Sequence, residues 1–474
     1  MASASRSRHG GRMSGGDPGS PFVAPLFEGA GAWRADPRRA ASAGDGSGEG
    51  VRAATAAILE RVRREGDAAL VDLARRFDAP DFDPSRLRVS REELEERASG
   101  AGQEEQALLR RTRSRIAAYH ERQRETSFRM DIGNGSRLEW RSLPIAAAGV
   151  YVPGGAAVYP STVLMNTVPA AVAGVPRIAL ATPPGALERS PVLAAAVLAA
   201  GVHEVYRIGG AQAIAAFAFG TASVRRVNKV VGPGNAYVAE AKRQLGQLIG
   251  TDAFAGPSEV VVLADETARA DWVAADLLAQ AEHGSGDERA ILVTTSSELA
   301  RAVVAELVRQ AKGQPNAETI ARALARHGAV VVVGDLEEAV EIAEEIAPEH
   351  LEVMTGDPEA LADRFPSAGA VLLGDHSPVA AGDYGAGPNH VLPTGGAARF
   401  ASPLSVGDFL KRQSVLRYGE RTLASLREDF ERFARIEGFE AHARSVAIRF
   451  EAQDSRGTAA GGAPELSTKE HPFG

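Results

Sequence analysis

The sequence predicts an α/β protein built on two parallel-sheet units. Three observations lead there. A short apolar run, a glycine turn and a helix-like stretch recur at intervals of about 25 to 30 residues, the rhythm of parallel strands joined by crossover helices. The rhythm runs once from Ala146 to Val231 and resumes from Val260 to Leu373. The chain's 474 residues are also too many for one hydrophobic core.

Taken in order, residues 1–22 are rich in Gly, Ser and Arg and read as a disordered head. From Val51 to Phe77 the apolar positions Ile58, Val62, Leu70, Leu73 and Phe77 fall at helical spacing. A second helix is expected from Arg91 to Arg124, with Leu108, Leu109, Ile116 and Tyr119 on its apolar side. The first unit then opens with the run Ala146–Val152, which ends in Pro153-Gly154-Gly155. A helix-like stretch from Ser161 follows, then the strand Ile178–Ala181, the helix Pro191–Ala200 and the strand Val205–Ile208 before Gly209-Gly210. The helix Ala211–Phe219 leads to the strand Lys229–Val231. Strands of the second unit are expected at Val260–Leu263, Ala290–Thr294, Val330–Val333, Glu352–Met354 and Ala370–Leu373. From about Ser402 to Arg449 the pattern reads as purely helical, and residues 453–474 read as a disordered tail. There is no solenoid-type repeat.

Composition narrows the function. Hydrophobic residues make up 44% and charged residues 24%, the balance of a soluble globular protein. A net charge of -8 gives no concentrated basic face, which argues against a nucleic-acid partner. With no cysteine, any metal must be held by His, Asp, Glu or Gln. No apolar run approaches the roughly 18 residues of a membrane span, and the basic N-terminus lacks an apolar signal core, so a cytoplasmic location is expected.

Five constellations could carry chemistry. Tyr151-Val-Pro-Gly-Gly, Gly209-Gly-Ala-Gln212 and Gly232-Pro-Gly-Asn235 each follow an expected strand. They read either as plain turns or as loops whose amides approach a phosphate. Gln280-Ala-Glu-His283-Gly closes an expected helix, Asp271–His283. Gln280 and His283 share a face there, as a chelating pair or as a solvated helix end. Pro348-Glu349-His350 reads as a helix start, from which Glu349 and His350 would project differently and serve two proton transfers. The loop Ser377–His390 gathers Asp383, Asn389 and His390 among glycines, a pattern typical of functional loops. Glu437 and His442 lie in the C-terminal region. Gln280, His283, Asp383 and His442 would make an O/N zinc set, although spacing alone does not bring them together.

These segments, with Gly-Pro-Gly-Asn-Ala-Tyr from Gly232, Ala-Gly-Pro-Ser-Glu from Ala255 and Pro-Asn-His-Val-Leu-Pro-Thr from Pro388, resemble the histidinol dehydrogenase family in its order, from about Leu26 to Phe450. The resemblance implies two incomplete Rossmann-like domains with small N- and C-terminal helical segments. It divides the chain into the head 1–22, a first domain of 23–149 with 258–401 that includes the N-terminal helices, a second of 150–257, a C-terminal helical dimerisation segment 402–452 and the tail 453–474. It implies NAD and zinc (Zn2+) as cofactors and L-histidinol as the substrate, oxidised to L-histidine through histidinaldehyde in histidine biosynthesis. Glu349 and His350 would be catalytic, with His350 taking the alcohol proton and Glu349 activating water. Gln280, His283, Asp383 and His442 would hold zinc. Ser258, His390 and Glu437 would join these ligands and His350 around the substrate, and Tyr151, Gln212 and Asn235 would contact NAD. The resemblance also implies a homodimer whose sites share Glu437 and His442 across the interface. A relative acting on a sulfonated diol is the main alternative, but Ser258, His390 and Glu437 suit an imidazole and an ammonium better than a sulfonate. A non-catalytic binding protein on the same fold would be expected to have lost part of this polar set.

Overall fold

A computed structural model describes residues 22–37, 48–154, 158–252, 256–284 and 286–451. The head expected for 1–22, apart from Phe22, and the tail expected for 453–474 lie outside the described residues. The chain divides into two units. The first comprises the described residues up to Arg124 together with Pro144–Phe409, and the second comprises Glu125–Leu143 with the chain from Leu410 onward.

The first unit holds two six-stranded sheets. One runs, edge to edge, Leu26–Glu28, Ala329–Val332, Arg289–Thr294, Glu259–Ala264, His350–Met354 and Ala370–Leu373, all parallel. Its inner strands are unbroken apolar runs such as Val260-Val-Val-Leu-Ala264, as expected of strands covered by helices on both faces. The other runs Arg88–Val89, Glu204–Arg207, Ile178–Thr182, Ala148–Tyr151, Lys229–Val231 and Gly250–Thr251, parallel except for the short Arg88–Val89 edge. In both sheets the chain extends to one side of its first inner strand and then returns to the other. The switch falls between Ala148–Tyr151 and Lys229–Val231 in one sheet, and between Glu259–Ala264 and His350–Met354 in the other. In open α/β sheets that reversal opens a crevice at the carboxyl ends of the strands. This is the expected α/β class with two Rossmann-like parallel sheets.

Several expected elements are subdivided. Val51–Phe77 is two helices, Glu49–Glu65 and Asp67–Phe77, broken where Gly66 takes φ 57°, a left-handed angle that glycine adopts at low cost. Arg91–Arg124 is likewise Arg91–Ala98 and Gln103–Glu121, separated by Ser99–Gly102. The N-terminal pair packs on the second sheet: Leu59, Val62, Leu70 and Leu73 share a core with Tyr151, Tyr206 and Phe217. The boundary expected at residue 150 falls inside the strand Ala148–Tyr151.

The second unit corrects the purely helical reading of the C-terminus. Leu410–Arg417 is a strand, in a three-stranded sheet with Ser136–Pro144 and Phe128–Gly133. The latter two form an antiparallel hairpin closed by Asn134-Gly135, both at positive φ. Period-2 patterning in so short and polar a segment is weak, so the strand escaped notice. The helices Glu420–Ile436 and Glu440–Ala447 complete the unit, anchored where the buried Ser136 hydroxyl donates to Thr422 Oγ1 at 2.7 Å and accepts the Gly419 amide at 2.7 Å.

Gly232 lies at the switch point of the second sheet with φ 113°, and a Cβ there would overlap the Tyr151 carbonyl oxygen. Its amide donates to Asp252 Oδ2 at 2.7 Å and its carbonyl accepts from Lys242 Nζ at 2.5 Å, so the backbone is held on both sides. Gly232→Ala is expected to lower the unfolding free energy by about 2–4 kcal/mol from strain and overlap together, measured by urea denaturation. An unchanged midpoint would show that the loop moves freely.

Candidate active site

Glu349 and His350 open a strand rather than a helix. The preceding helix, Leu336–Ile346, ends on Ala347 at φ 51°, and Pro348 follows it as prolines often follow helix ends. The buried run His350-Leu-Glu-Val-Met354 then inserts between Glu259–Ala264 and Ala370–Leu373. The proline of this motif therefore terminates one element instead of starting the next.

This placement sets Glu349 against Glu259, and the two exchange hydrogen bonds. The Glu259 amide donates to Glu349 Oε2 at 2.9 Å, and the Glu349 amide donates to Glu259 Oε1 at 3.2 Å. Glu259 Oε1 also accepts the Gly395 amide at 2.9 Å, while Arg289 Nη1 lies 3.1 Å from Oε2. Burial pushes the Glu349 carboxyl well above its ordinary 4.5, and the charges of Glu259 and Asp383 add to the rise. The Glu259 amide and the Ser258 hydroxyl, which bond to the carboxylate, act against it. Burial likewise raises Glu259, opposed chiefly by Arg289.

His350 is 5% exposed. Its Nδ1 lies 3.3 Å from the Glu259 carbonyl oxygen, which can only accept, so Nδ1 carries the proton and Nε2 keeps its lone pair. Nε2 is 3.8 Å from Asp383 Oδ1. Burial drives the imidazole below its ordinary 6.5, with the Asp383 charge opposing, which favours a neutral ring at neutral pH. His283 and His390 lie near enough to reinforce the fall.

The remaining polar set converges from two loops. The helix expected to end at His283 ends at Ala281, so Gln280 sits in the last turn and His283 just beyond. His283 Nδ1 faces the Ala279 and Gln280 carbonyls at 3.2 and 3.3 Å, leaving Nε2 as its acceptor nitrogen. Gln280 is 1% exposed, and among the described residues neither its Oε1 nor its Nε2 has a hydrogen-bond partner. An orphaned buried amide is costly unless a ligand completes it. Asp383 ends the short helix Val379–Asp383, and its carbonyl accepts from His390 Nδ1 at 2.9 Å. The helix Gln103–Glu121 supports this loop from below: Arg115 Nε donates to the Gly385 carbonyl at 2.8 Å, and Thr112 and Tyr119 pack where Cβ atoms on Gly385 and Gly387 would be. Asn389 is buried and donates to the Met165 carbonyl at 2.7 Å, a structural tether.

Gln280, His283 and Asp383 carry donors of the kind zinc takes: an amide oxygen, the acceptor Nε2 of His283 and a carboxylate. Among the described residues no three His, Asp or Glu are grouped to hold a metal. His442 and Glu437 belong to the second unit. Both are exposed, and Glu437 caps the helix Glu420–Ile436.

The residues expected to contact a nucleotide gather elsewhere, at the carboxyl edge of the second sheet. The Tyr151 hydroxyl accepts the Gly210 amide at 3.0 Å, and Gln212 is buried beside Gly210. Gly232 abuts Tyr151, and Asn235 caps the helix Ala236–Leu245 by accepting the Tyr237 and Val238 amides at 3.1 and 3.2 Å. Two of the glycine loops meet at Tyr151, at the switch point. Glu349 and His350 lie by contrast at the amino ends of their strands. Sequence reasoning missed Glu259 and Arg289, although an acid opening the apolar strand Glu259-Val-Val-Val-Leu-Ala264 is a signal, since such a charge needs a partner.

A model of the histidinol dehydrogenase family matches residues 43–450. The histidinol dehydrogenase of Rhizobium meliloti (strain 1021) is 48% identical over 403 residues, covering 85% of this chain and 92% of that protein. That of Geobacillus kaustophilus (strain HTA426) is 49% identical over 406 residues, covering 84% of this chain and 94% of that protein. The crystal structure of histidinol dehydrogenase from Elizabethkingia anophelis superposes with a TM-score of 0.82 at 30% identity, covering 91% of this chain and 99% of that one. On these matches the chain belongs to the histidinol dehydrogenase family.

Proposed function

We propose that this chain oxidises L-histidinol to L-histidine through histidinaldehyde, the last steps of histidine biosynthesis, as a cytoplasmic enzyme. The observation that carries the reading is the placement of the buried His350: its Nδ1 faces the Glu259 carbonyl, and its Nε2 opens toward Asp383.

NAD, contacted by Tyr151, Gln212 and Asn235, would accept a hydride in each of the two steps. Zinc held by Gln280, His283, Asp383 and His442 of the partner subunit would orient the imidazole and amino nitrogens of the substrate. The protein's own groups do the rest. His350 Nε2 takes the hydroxyl proton as the alcohol carbon loses its hydride. Glu349, raised by burial and therefore a stronger base than a surface carboxylate, takes a proton from the water that adds to the aldehyde carbon. The resulting hydrate anion would pass its hydride to the second NAD and become the carboxylic acid. Ser258, His390 and Glu437 of the partner subunit complete the substrate pocket. In this reading the two sheets act as separate domains, one for the cofactor and one for the reacting pair. Exposed Phe433, Ile436 and Phe439 flank Glu437 and give a homodimer an apolar face to cover.

Turnover of L-histidinol with NAD, set against a panel of small alcohols including sulfonated diols, tests the assignment; preference for another alcohol would overturn it. His350→Asn is expected to abolish most alcohol oxidation while zinc content stays at the wild-type level, and loss of the zinc would remove His350 from the base role. Glu349→Gln is expected to slow the overall reaction at least ~10²-fold, with the defect persisting when histidinaldehyde is supplied directly. Normal aldehyde oxidation in that variant would assign water activation elsewhere.

A further inference from the structure

The final glutamate of Pro-Glu-His-Leu-Glu has no part in the chemistry above. Glu352 lies two residues beyond His350 on the same strand, so its side chain leaves on the same face. It is 1% exposed. Its Oε1 accepts the Val379 amide at 2.6 Å. Val379 is the first residue of the short helix that ends in Asp383. Among the described residues no N–H or O–H donor reaches its Oε2. The helix Ala270–Ala281 packs against the helix Val379–Asp383, and this packing brings the Asp276 carboxyl beside that of Glu352. Asp276 belongs to the helix Ala270–Ala281, one turn before Gln280 and on the same side.

A cap for the Val379 amide would need only one acceptor, and a buried Gln or Ser could supply it. Two acids in one buried place are a more demanding arrangement, because both cannot be charged in contact. A proton between them converts repulsion into a hydrogen bond. Burial raises both groups, Asp276 to about 6 and Glu352 to about 9, consistent with a proton held by the pair at neutral pH. The pair joins three segments that are far apart in sequence: the Gln280–His283 helix end, the His350 strand and the Asp383 helix.

We propose that Glu352 and Asp276 form a hydrogen-bonded carboxyl brace that fixes the helix end bearing Gln280 and His283 against the short helix bearing Asp383. Both are positioning residues. The brace sets the separation of the donors before a metal arrives, so the site does not have to be assembled on binding. This inference rests on the zinc reading above.

The test uses the full-length protein. Metal-free wild type, Glu352→Gln, Glu352→Leu and Asp276→Ala are titrated with Zn2+ against a chelator of known affinity, and thermal unfolding of each metal-free form is recorded alongside. Glu352→Gln keeps an acceptor for Val379 and can donate its NH2 to Asp276, so its zinc affinity is expected to stay within about threefold of wild type. Asp276→Ala and Glu352→Leu are expected to lose about 10- to 100-fold in zinc affinity, the range found when groups supporting metal ligands are removed. In the zinc-loaded enzyme Asp276→Ala should leave the NAD KM unchanged. Asp276 is only part-buried, so that variant remains informative if Glu352→Leu fails to fold. Lower melting temperatures with unchanged zinc affinity would overturn the brace and leave a purely structural role. Failure of the wild type itself to bind zinc would overturn the zinc reading, and the brace with it.

Discussion

Two buried acids at the start of neighbouring parallel strands hold the amino edge of the first sheet together. Glu259 and Glu349 each accept the other's backbone amide, and Arg289 supplies the compensating charge. Neither acid could remain there alone, since an unpaired buried charge costs several kcal/mol. Each bond in the exchange also sets a strand end: the register that pairs Val260 with His350 is the one that brings the two acids opposite. The Glu259 carbonyl then fixes the tautomer of His350. One local arrangement thus defines strand register, the environment of Glu349 and the open nitrogen of His350.

The two sheets use opposite edges. Tyr151, Gly210 and Gly232 sit at the carboxyl edge of their sheet, where the switch point lies and glycine backbones come close. The acids and His350 sit at the amino edge of theirs.

The α/β class was legible because buried parallel strands write themselves as continuous apolar runs, and the glycine turns between them are equally plain. The Gln280–His283 and Glu349–His350 segments were legible only together with the other motifs, since neither pair is unusual alone. What was not legible depends on long-range placement. Glu259 and Glu352 look like interruptions of apolar strands until their partners, Arg289 and Asp276, are seen across the sheet or on a neighbouring helix. Pro348 was read from its local preference, which allows both a helix start and a helix end; the left-handed Ala347 decided between them. The hairpin was announced by Asn134-Gly135, a strong two-residue turn signal set between strands too polar to register.

The second unit's sheet joins residues 128–144 to a strand that begins at Leu410, with most of the first unit lying between them in sequence. During synthesis the hairpin therefore emerges long before the strand that completes it. An isolated two-stranded hairpin is only marginally stable in water. It lacks its third strand until the strands of both parallel sheets have been made. Glu437 and His442, carried on the helices after Leu410, follow the first unit in synthesis as well. Chains truncated before Leu410 keep every segment of the first unit and lose the strand and both helices that complete the second.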